Sequence, residues 1–350
     1  MSLRHRLFSA VFGAIARTGA DRWAARWSRG RGAILTLHHV RPKREGAFQP
    51  NALLEITPEF LDRTLEFLRR EGVAVVSLDE AMLRLAQPEP GPFFVALTFD
   101  DGYRDNVEHA WPVLAKHGAP WTLFVTPGFA DRTARLWWLE LEGAIAALPR
   151  IDLELPDGRF SAVAGTSAEK TAAFDKLYWR LRKQPETILL SAISDLCTQA
   201  GIDKTALVER ECLPWETLRA LAGAPGITIG AHTLTHPMLA KHDAAFAEAE
   251  IRDSQARLEK ELDLPIRHFA YPVGDRGSAG MREFDMAEAA GFASAVTTRP
   301  GHLFAEHADH LHALPRVSLN GLHQNEAALR GLLSGLPFLL WNRGRRVNVS

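Results

Sequence analysis

Cysteine is almost missing from this 350-residue chain, which holds only Cys197 and Cys212. Two are too few to staple a fold of this size, and their spacing suits no metal site, so they read as packing residues and leave the redox compartment undecided. Net charge is missing as well: 41 Lys and Arg stand against 42 Asp and Glu, so the global balance gives no footprint for nucleic acid. No run reaches transmembrane length. No GxxxxGK(S/T), GxGxxG or GxSxG motif occurs, which removes the sequence-level case for P-loop, dinucleotide or α/β-hydrolase chemistry. SAEK at 167–170 matches SxxK without the rest of the β-lactamase set, and Ser167 reads better as a helix cap. What is present, 46% hydrophobic and 24% charged residues, is the composition of a folded soluble protein.

Charge is uneven along the chain. Residues 1–45 carry ten Arg or Lys against Asp21 and Glu45, a local net of +8. The ten residues LFSAVFGAIA lie inside this stretch, and cleavage after Ala14-Ile15-Ala16 would leave an unusually short signal peptide, so secretion is not expected. Residues 1–30 are read as a basic amphipathic segment. It is either an interfacial helix drawn to anionic lipid or a helix packed on the domain with Arg outward. The expected location is cytoplasmic, with peripheral contact at the inner membrane face under the first alternative. Residues 321–350 are read as a C-terminal helix and tail, whose SGLPFLLWNRGRR patch is assigned to packing.

Between these ends, at 31–320, apolar β-rich runs recur at 33–38, 73–77, 93–99, 121–126, 227–231, 267–271, 293–297 and 314–318. Helical patterns separate many of them, as at 58–70, 106–117, 244–262 and 281–290. Strands buried on both faces with crossover helices mean a parallel sheet, and an α/β fold closed as a (β/α) barrel is the economical arrangement. Alternation stops at 131–213, which reads as a helical insertion over one barrel face.

Two clusters carry chemistry. Thr98-Phe99-Asp100-Asp101-Gly102-Tyr103 stands where a strand runs into a turn. A bend there would let both carboxylates face one cavity, one binding a metal and the other acting as base; alternatively an Asp merely caps the next helix or makes a turn. His232-Thr-Leu-Thr-His236 follows the strand ITIGA. At i and i+4 on a helical turn the two rings would face the same way and could share a cation. One Asp and two His make a three-ligand site with open positions, a catalytic arrangement.

TFDDGY followed by HTLTH resembles the polysaccharide deacetylase family, the nodulation chitooligosaccharide deacetylase homology domain, of carbohydrate esterase family 4 type. WETLRALA and FAYPVG add to the likeness, which runs from about residue 34 to 320 without the insertion. The resemblance implies a deformed (β/α) barrel. It implies Asp100 as the base, and Asp101, His232 and His236 as ligands of a divalent ion, most simply Zn²⁺. Two positions depart from the family pattern. No Arg precedes Pro272 in FAYP, and Arg316 in LPRV is the substitute we name, unless it is an Arg paired at the surface. The late Leu-His of VSLNGLHQ stands off any clear strand, so the acid is sought in ILTLHHV, as in a circularly permuted subgroup that the chain resembles. Period-2 alternation sends His38 and His39 to opposite faces, and His38 is the one chosen, with His312 and His323 as successors. His302, His307, His310 and His312 read as a polar loop.

The function expected is hydrolytic removal of acetyl from an N-acetylated polysaccharide or oligosaccharide, either a chitooligosaccharide or a cell-envelope glycan. A backbone N–H near Tyr103 or Tyr271 would stabilise the oxyanion, with Pro272 in the substrate cleft. Trp137, Trp138 and Trp179 either stack on sugars or pack helices. Two rivals stand beside this reading: deformylation or other amide hydrolysis on a lipid-linked sugar, and carbohydrate binding without turnover. Nothing in the sequence fixes the oligomeric state.

Overall fold

The computed structural model describes residues 20–349. The eight apolar runs all form strands: β1 (Gly32–Leu37), β2 (Ala74–Val76), β3 (Phe94–Phe99), β4 (Trp121–Val125), β5 (Ile227–Ala231), β6 (His268–Ala270), β7 (Ser294–Pro300) and β8 (Leu314–Ser318). Seven of them close a parallel barrel in the order β1, β8, β7, β6, β5, β4, β3, and β3 pairs back onto β1 from Gly32↔Phe94 to Leu37↔Phe99. The first strand thus lies beside the last, with Leu35 opposite Val317. The eighth, β2, is not a stave: it pairs with residues 94–96 of β3, while β4 takes residues 97–99 of the same strand.

Strands β1 and β3 are buried at every position, as a parallel sheet under helices requires. Alternation then divides their residues. Leu35, Leu37, Val95, Leu97 and Phe99 face the outer helices, whereas Ile34, Phe94, Ala96, Phe124, Val296 and Leu314 fill the barrel, closed below by Leu78 and Leu85. So narrow an interior cannot take a large side chain at every inward position. A Cβ on Gly32 would stand 2.5 Å from the Phe94 ring, and one on Gly230 2.5 Å from the Phe124 ring.

Residues 131–213 are not helical alone. Among the helices Trp137–Ala147, Ser167–Leu181, Glu186–Ala200 and Lys204–Glu211 stands an antiparallel hairpin, Arg150–Leu155 with Gly158–Val163. Its alternate residues Ile151, Leu153, Leu155 and Phe160 are buried in a second core that also takes in Tyr103, Phe129 and Met238 from the loops after β3, β4 and β5. The insertion therefore roofs the C-terminal end of the barrel. Thr166, rather than Ser167, caps the helix Ser167–Leu181: its hydroxyl accepts from Glu169 N–H and the Glu169 carboxylate from Thr166 N–H.

The C-terminal region holds two helices, Glu326–Ser334 and Leu336–Trp341, divided at Gly335 with φ 74°. Helix Ala20–Ser28 joins them, and the Ser28 hydroxyl donates to the Ser334 carbonyl at 2.7 Å. The run LFSAVFGAIA lies outside the described residues. Among those described, no helix is long and apolar enough to cross a membrane. His302 and His307 are buried, contrary to the expected polar loop. The two ring nitrogens of His302 meet the Arg29 and Leu332 carbonyls at 2.6 and 2.9 Å, tying both chain ends to the barrel.

Candidate active site

His38, Asp100, Asp101, His232 and His236 stand just past the C-terminal ends of their strands, the end where barrel enzymes carry their sites, and Arg316 reaches them from within β8. Asp100 directly follows β3, and its N–H donates to Leu37 O of β1 at 3.0 Å. Asp101 and Gly102 then take left-handed backbone, φ 75° and 71°, which turns the chain sharply and presents both carboxylates on one side. A left-handed Asp is strained, and such strain is found where a site holds a side chain in place.

The two acids have different partners. Arg316 of β8 grips Asp100 with both arms of its guanidinium, Nη1 to Oδ1 and Nη2 to Oδ2, each at 2.7 Å. The arginine is itself held by Thr297 O and the Thr98 hydroxyl, at 2.9 and 3.1 Å, and the whole pair is buried. It is not the surface arginine of the alternative reading. Burial alone would raise the Asp100 carboxyl, but Arg316 and then His232 outweigh it and keep it below its ordinary value. Asp100 is therefore ionised and fixed in orientation, the state a proton acceptor needs.

Asp101 turns instead toward the histidines. Its Oδ1 lies 3.4 Å from His232 Nε2 and 3.2 Å from His236 Nε2, and has no hydrogen-bond partner of its own. Against the burial that would raise it, the two imidazoles hold this carboxyl well below its usual range. His232 Nδ1 is 2.7 Å from the Ala270 carbonyl, so that nitrogen carries the proton and Nε2 keeps its lone pair for the centre. The HTLTH segment is not the helical turn expected from its spacing. Thr233 and His236 adopt φ 59° and 66°, and this loop, rather than helical periodicity, brings the ring centroids to 5.0 Å. The three donor atoms lie within 4.8 Å of one another. Bonds of about 2.0–2.2 Å to a shared ion put donors roughly 3–3.5 Å apart, so a divalent cation fits the set and its orphaned Asp101 oxygen.

His38 and His39 part as alternation predicts. His38 Nε2 lies 3.9 Å from Asp100 Oδ2, with the ring still 22% exposed. His39 turns away to Asp105, Nδ1 to Oδ2 2.7 Å, and stacks on Tyr103 at 3.6 Å. Burial presses the His38 imidazole below its ordinary value, Asp100 and Asp101 opposing. His312 stands just before β8, at the opposite end of the barrel, with Nε2 on Phe292 O at 2.7 Å, and is removed as a successor acid.

Three expected substrate contacts are placed differently. Tyr103 and Tyr271 are fully buried. The Tyr103 hydroxyl accepts from Trp138 Nε1 at 3.2 Å, so the ring props the insertion rather than lining a cleft. The Tyr271 hydroxyl donates to His312 O and its N–H to Val296 O, at 2.9 and 3.2 Å, so the N–H of Tyr271 itself is engaged within the barrel. Pro272 is buried with it. Trp137 and Trp138 pack in the second core, Trp138 4.8 Å from the His236 ring, whereas Trp179 is exposed. Sequence reasoning missed Thr36 and Thr98 beside Asp100 and the Asp105 support of His39. Thr36 and Thr98 could have been found by following the inward-facing positions of β1 and β3.

The sequence profile described as polysaccharide deacetylase matches residues 87–292, more than half of the chain. YxkH of Bacillus subtilis (strain 168), whose name places it among polysaccharide deacetylases, is 36% identical over 73 residues, which cover 21% of this chain and 26% of that protein. The match thus spans about a quarter of that relative's length. Among solved structures, the Streptococcus pyogenes deacetylase PplD in complex with acetate has a TM-score of 0.55 at 20% identity, covering 83% of this chain and 92% of that one. IcaB from Ammonifex degensii has a TM-score of 0.52 at 18% identity, covering 87% and 97%. At these identities the structures establish a shared fold.

Proposed function

The chain belongs to the polysaccharide deacetylase family, and from that premise we propose that it removes N-acetyl groups from an N-acetylated glycan, a chitooligosaccharide or a cell-envelope polymer. The observation that carries the proposal is the division of labour between adjacent acids, Asp100 clamped by Arg316 and Asp101 facing two imidazoles. Asp101, His232 and His236 would hold a divalent ion, zinc by the chemistry of one carboxylate and two imidazoles, and such an ion supplies a Lewis acid and lowers the pKa of water. Asp100 accepts the proton of the attacking water. Arg316 keeps that carboxylate ionised and aimed. His38, on the solvent side of Asp100, delivers a proton to the leaving nitrogen. Product identification tests the reaction class: acetate from N-acetylated sugars supports it, formate from an N-formylated lipid-linked sugar would point to the deformylase reading, and binding without product to the carbohydrate-binding one.

The role of His38 has its own test. A proton donor is worth about 10²- to 10⁴-fold in rate, so His38→Ala should lower kcat by that amount with metal content unchanged. His39→Ala, which strips a buried partner from Asp105, should chiefly lower the unfolding midpoint. Near-normal kcat in His38→Ala would move the acid elsewhere, with His323, past β8 on the same rim, as next candidate.

We also propose peripheral contact with anionic membrane. Helix Ala20–Ser28 leaves Trp23 73% and Trp27 65% exposed, one turn apart with Arg26 between them, and Leu340 and Trp341 of its neighbour helix are exposed as well. Binding to phosphatidylglycerol vesicles should fall with salt and drop in Trp23→Ser/Trp27→Ser, which leaves the Ser28 contact intact. Equal binding by the double variant would reduce the helix to a packing element.

A further inference from the structure

A cleft of about 570 Å³, lined by none of the catalytic residues, opens where the ends of two barrel strands meet the C-terminal tail, a size within the ordinary range for small-ligand sites. Its two barrel-side walls are the loop that follows β6, at Asp275 to Gly277, and the end of β7, at Thr298 to Pro300. These strand ends also serve the catalytic residues: His232 is held by Ala270 O of β6 and Arg316 by Thr297 O of β7. Thr297 and Arg299 are two residues apart on β7, which in extended chain is about 7 Å.

The lining is cationic. Arg276, Arg299, Arg343 and Arg345 all border the cleft, against the single acid Asp275. Asp275 is already engaged, its Oδ2 taking Arg182 Nη2 at 2.9 Å. Arg299 is the telling residue, for it is only 5% exposed. Its Nη1 and Nη2 reach the Asn348 and Ala279 carbonyls at 3.3 and 3.0 Å, its face lies 5.0 Å from the Phe284 ring, and its Nε has no partner. Among the described residues, none of these four arginines is in an ion pair. Burial, reinforced by the charge of Arg276, pulls the Arg299 guanidinium below its ordinary value. A buried cation is costly, and the like charge of Arg276 adds to the cost, opposed by Asp275, which is already engaged by Arg182. A bound oxyanion would remove both penalties through charge-assisted, partly bidentate hydrogen bonds.

We propose that this arginine-lined cleft is an oxyanion subsite that takes the phosphate or diphosphate of a phosphate-linked glycan while its N-acetyl sugar reaches the Asp100 centre. The identity of the carrier rests on the glycan reading above; the anion site itself does not. The exposed Trp341 at the same cleft offers an apolar or stacking surface next to the phosphate, suited to whatever the phosphate joins to the sugar.

Calorimetry of the full chain with inorganic pyrophosphate tests the site independently of turnover. Saturable binding is expected, weakened about tenfold or more in Arg343→Ala/Arg345→Ala, two exposed positions whose loss leaves the core untouched. Arg299→Gln should weaken it too, and the surface double variant keeps the test valid if that buried change fails to fold. Deacetylation of a neutral chitooligosaccharide should be unchanged in Arg343→Ala/Arg345→Ala, while KM for a sugar phosphate-linked substrate rises. No pyrophosphate binding, or equal binding by the double variant, overturns the subsite. If the double variant loses binding to phosphatidylglycerol vesicles but keeps that to pyrophosphate, the arginines serve a lipid headgroup and the proposal falls. Failure of acetate release with pyrophosphate binding intact would instead count against the proposed reaction alone.

Discussion

Replacing His232 and His236 together by Ala should remove most of the bound divalent metal and lower kcat roughly a thousandfold or more, equivalent to about 4 kcal/mol of transition-state stabilisation. The expectation follows from geometry. Both Nε2 atoms face one carboxylate oxygen that has no other partner, so taking them away leaves Asp101 alone to hold a cation. Fold should survive at reduced stability, because the losses are local: the His232 bond to Ala270 O and the contacts of the His236 ring with Phe129 and Trp138. Metal analysis by mass spectrometry and a denaturant midpoint separate the two effects. Stoichiometric metal in the double variant would displace the site from these residues.

Asp100→Asn should be equally silent in turnover yet retain its metal, whereas Asp101→Asn should lose metal. The loss in kcat for Asp100→Asn is expected at about 10²- to 10⁴-fold, that of a proton acceptor. Arg316→Lys gives the finer test. Lysine keeps the charge but cannot form the two parallel bonds of 2.7 Å, so the carboxylate is left ionised but loosely aimed. Arg316→Met goes further and leaves a buried carboxylate without its cation, at a cost of about 3–5 kcal/mol. The sign of the pH effect is fixed. Asp100 now titrates below its ordinary value, so the pair stabilises the fold above the unfolded carboxyl's pKa and loses that contribution as pH falls through the folded value. Weakening Arg316 lifts the folded value, and the acid limb of kcat/KM should move to higher pH. An unmoved limb would make Arg316 a packing residue.

The barrel could be read before folding because its strands are buried on both faces and therefore write themselves as unbroken apolar runs; β5 and β8 match residue for residue. Arg316 was legible as the substitute for the Arg absent before Pro272, and the structure adds a physical reason. A buried strand rarely carries a cation, so an Arg in the middle of LPRV asks for an acid, and Asp100 answers it. The hairpin at Arg150–Leu155 and Gly158–Val163 had a signal, alternation around Pro156-Asp157-Gly158, that was drowned by strongly helical neighbours. The tyrosines could not be read. Period-2 logic ends with the strand, and the left-handed Asp101 and Gly102 redirect Tyr103 into a core that exists only once the insertion has docked. The same holds for HTLTH, where i,i+4 spacing suggested a helix and two left-handed residues made the metal-like cluster instead. Likewise nothing local distinguished β2 as a strand outside the ring, since its place depends on β4 occupying the rest of the β3 edge.

Cleavage of an N-acetyl bond is the reaction proposed for the Asp100 and Arg316 pair beside Asp101, His232 and His236. Its most direct measurement is simultaneous quantification of acetate and new primary amine from N-acetylglucosamine oligomers and from phosphate-linked N-acetyl sugars, using zinc-supplemented protein with Asp100→Asn as control. Acetate and amine are expected in equal amounts from at least one of these substrates, both abolished by Asp100→Asn while its metal remains. Acetate production that persists undiminished in Asp100→Asn, or its absence from every N-acetylated substrate while the wild-type protein carries its metal, would contradict it.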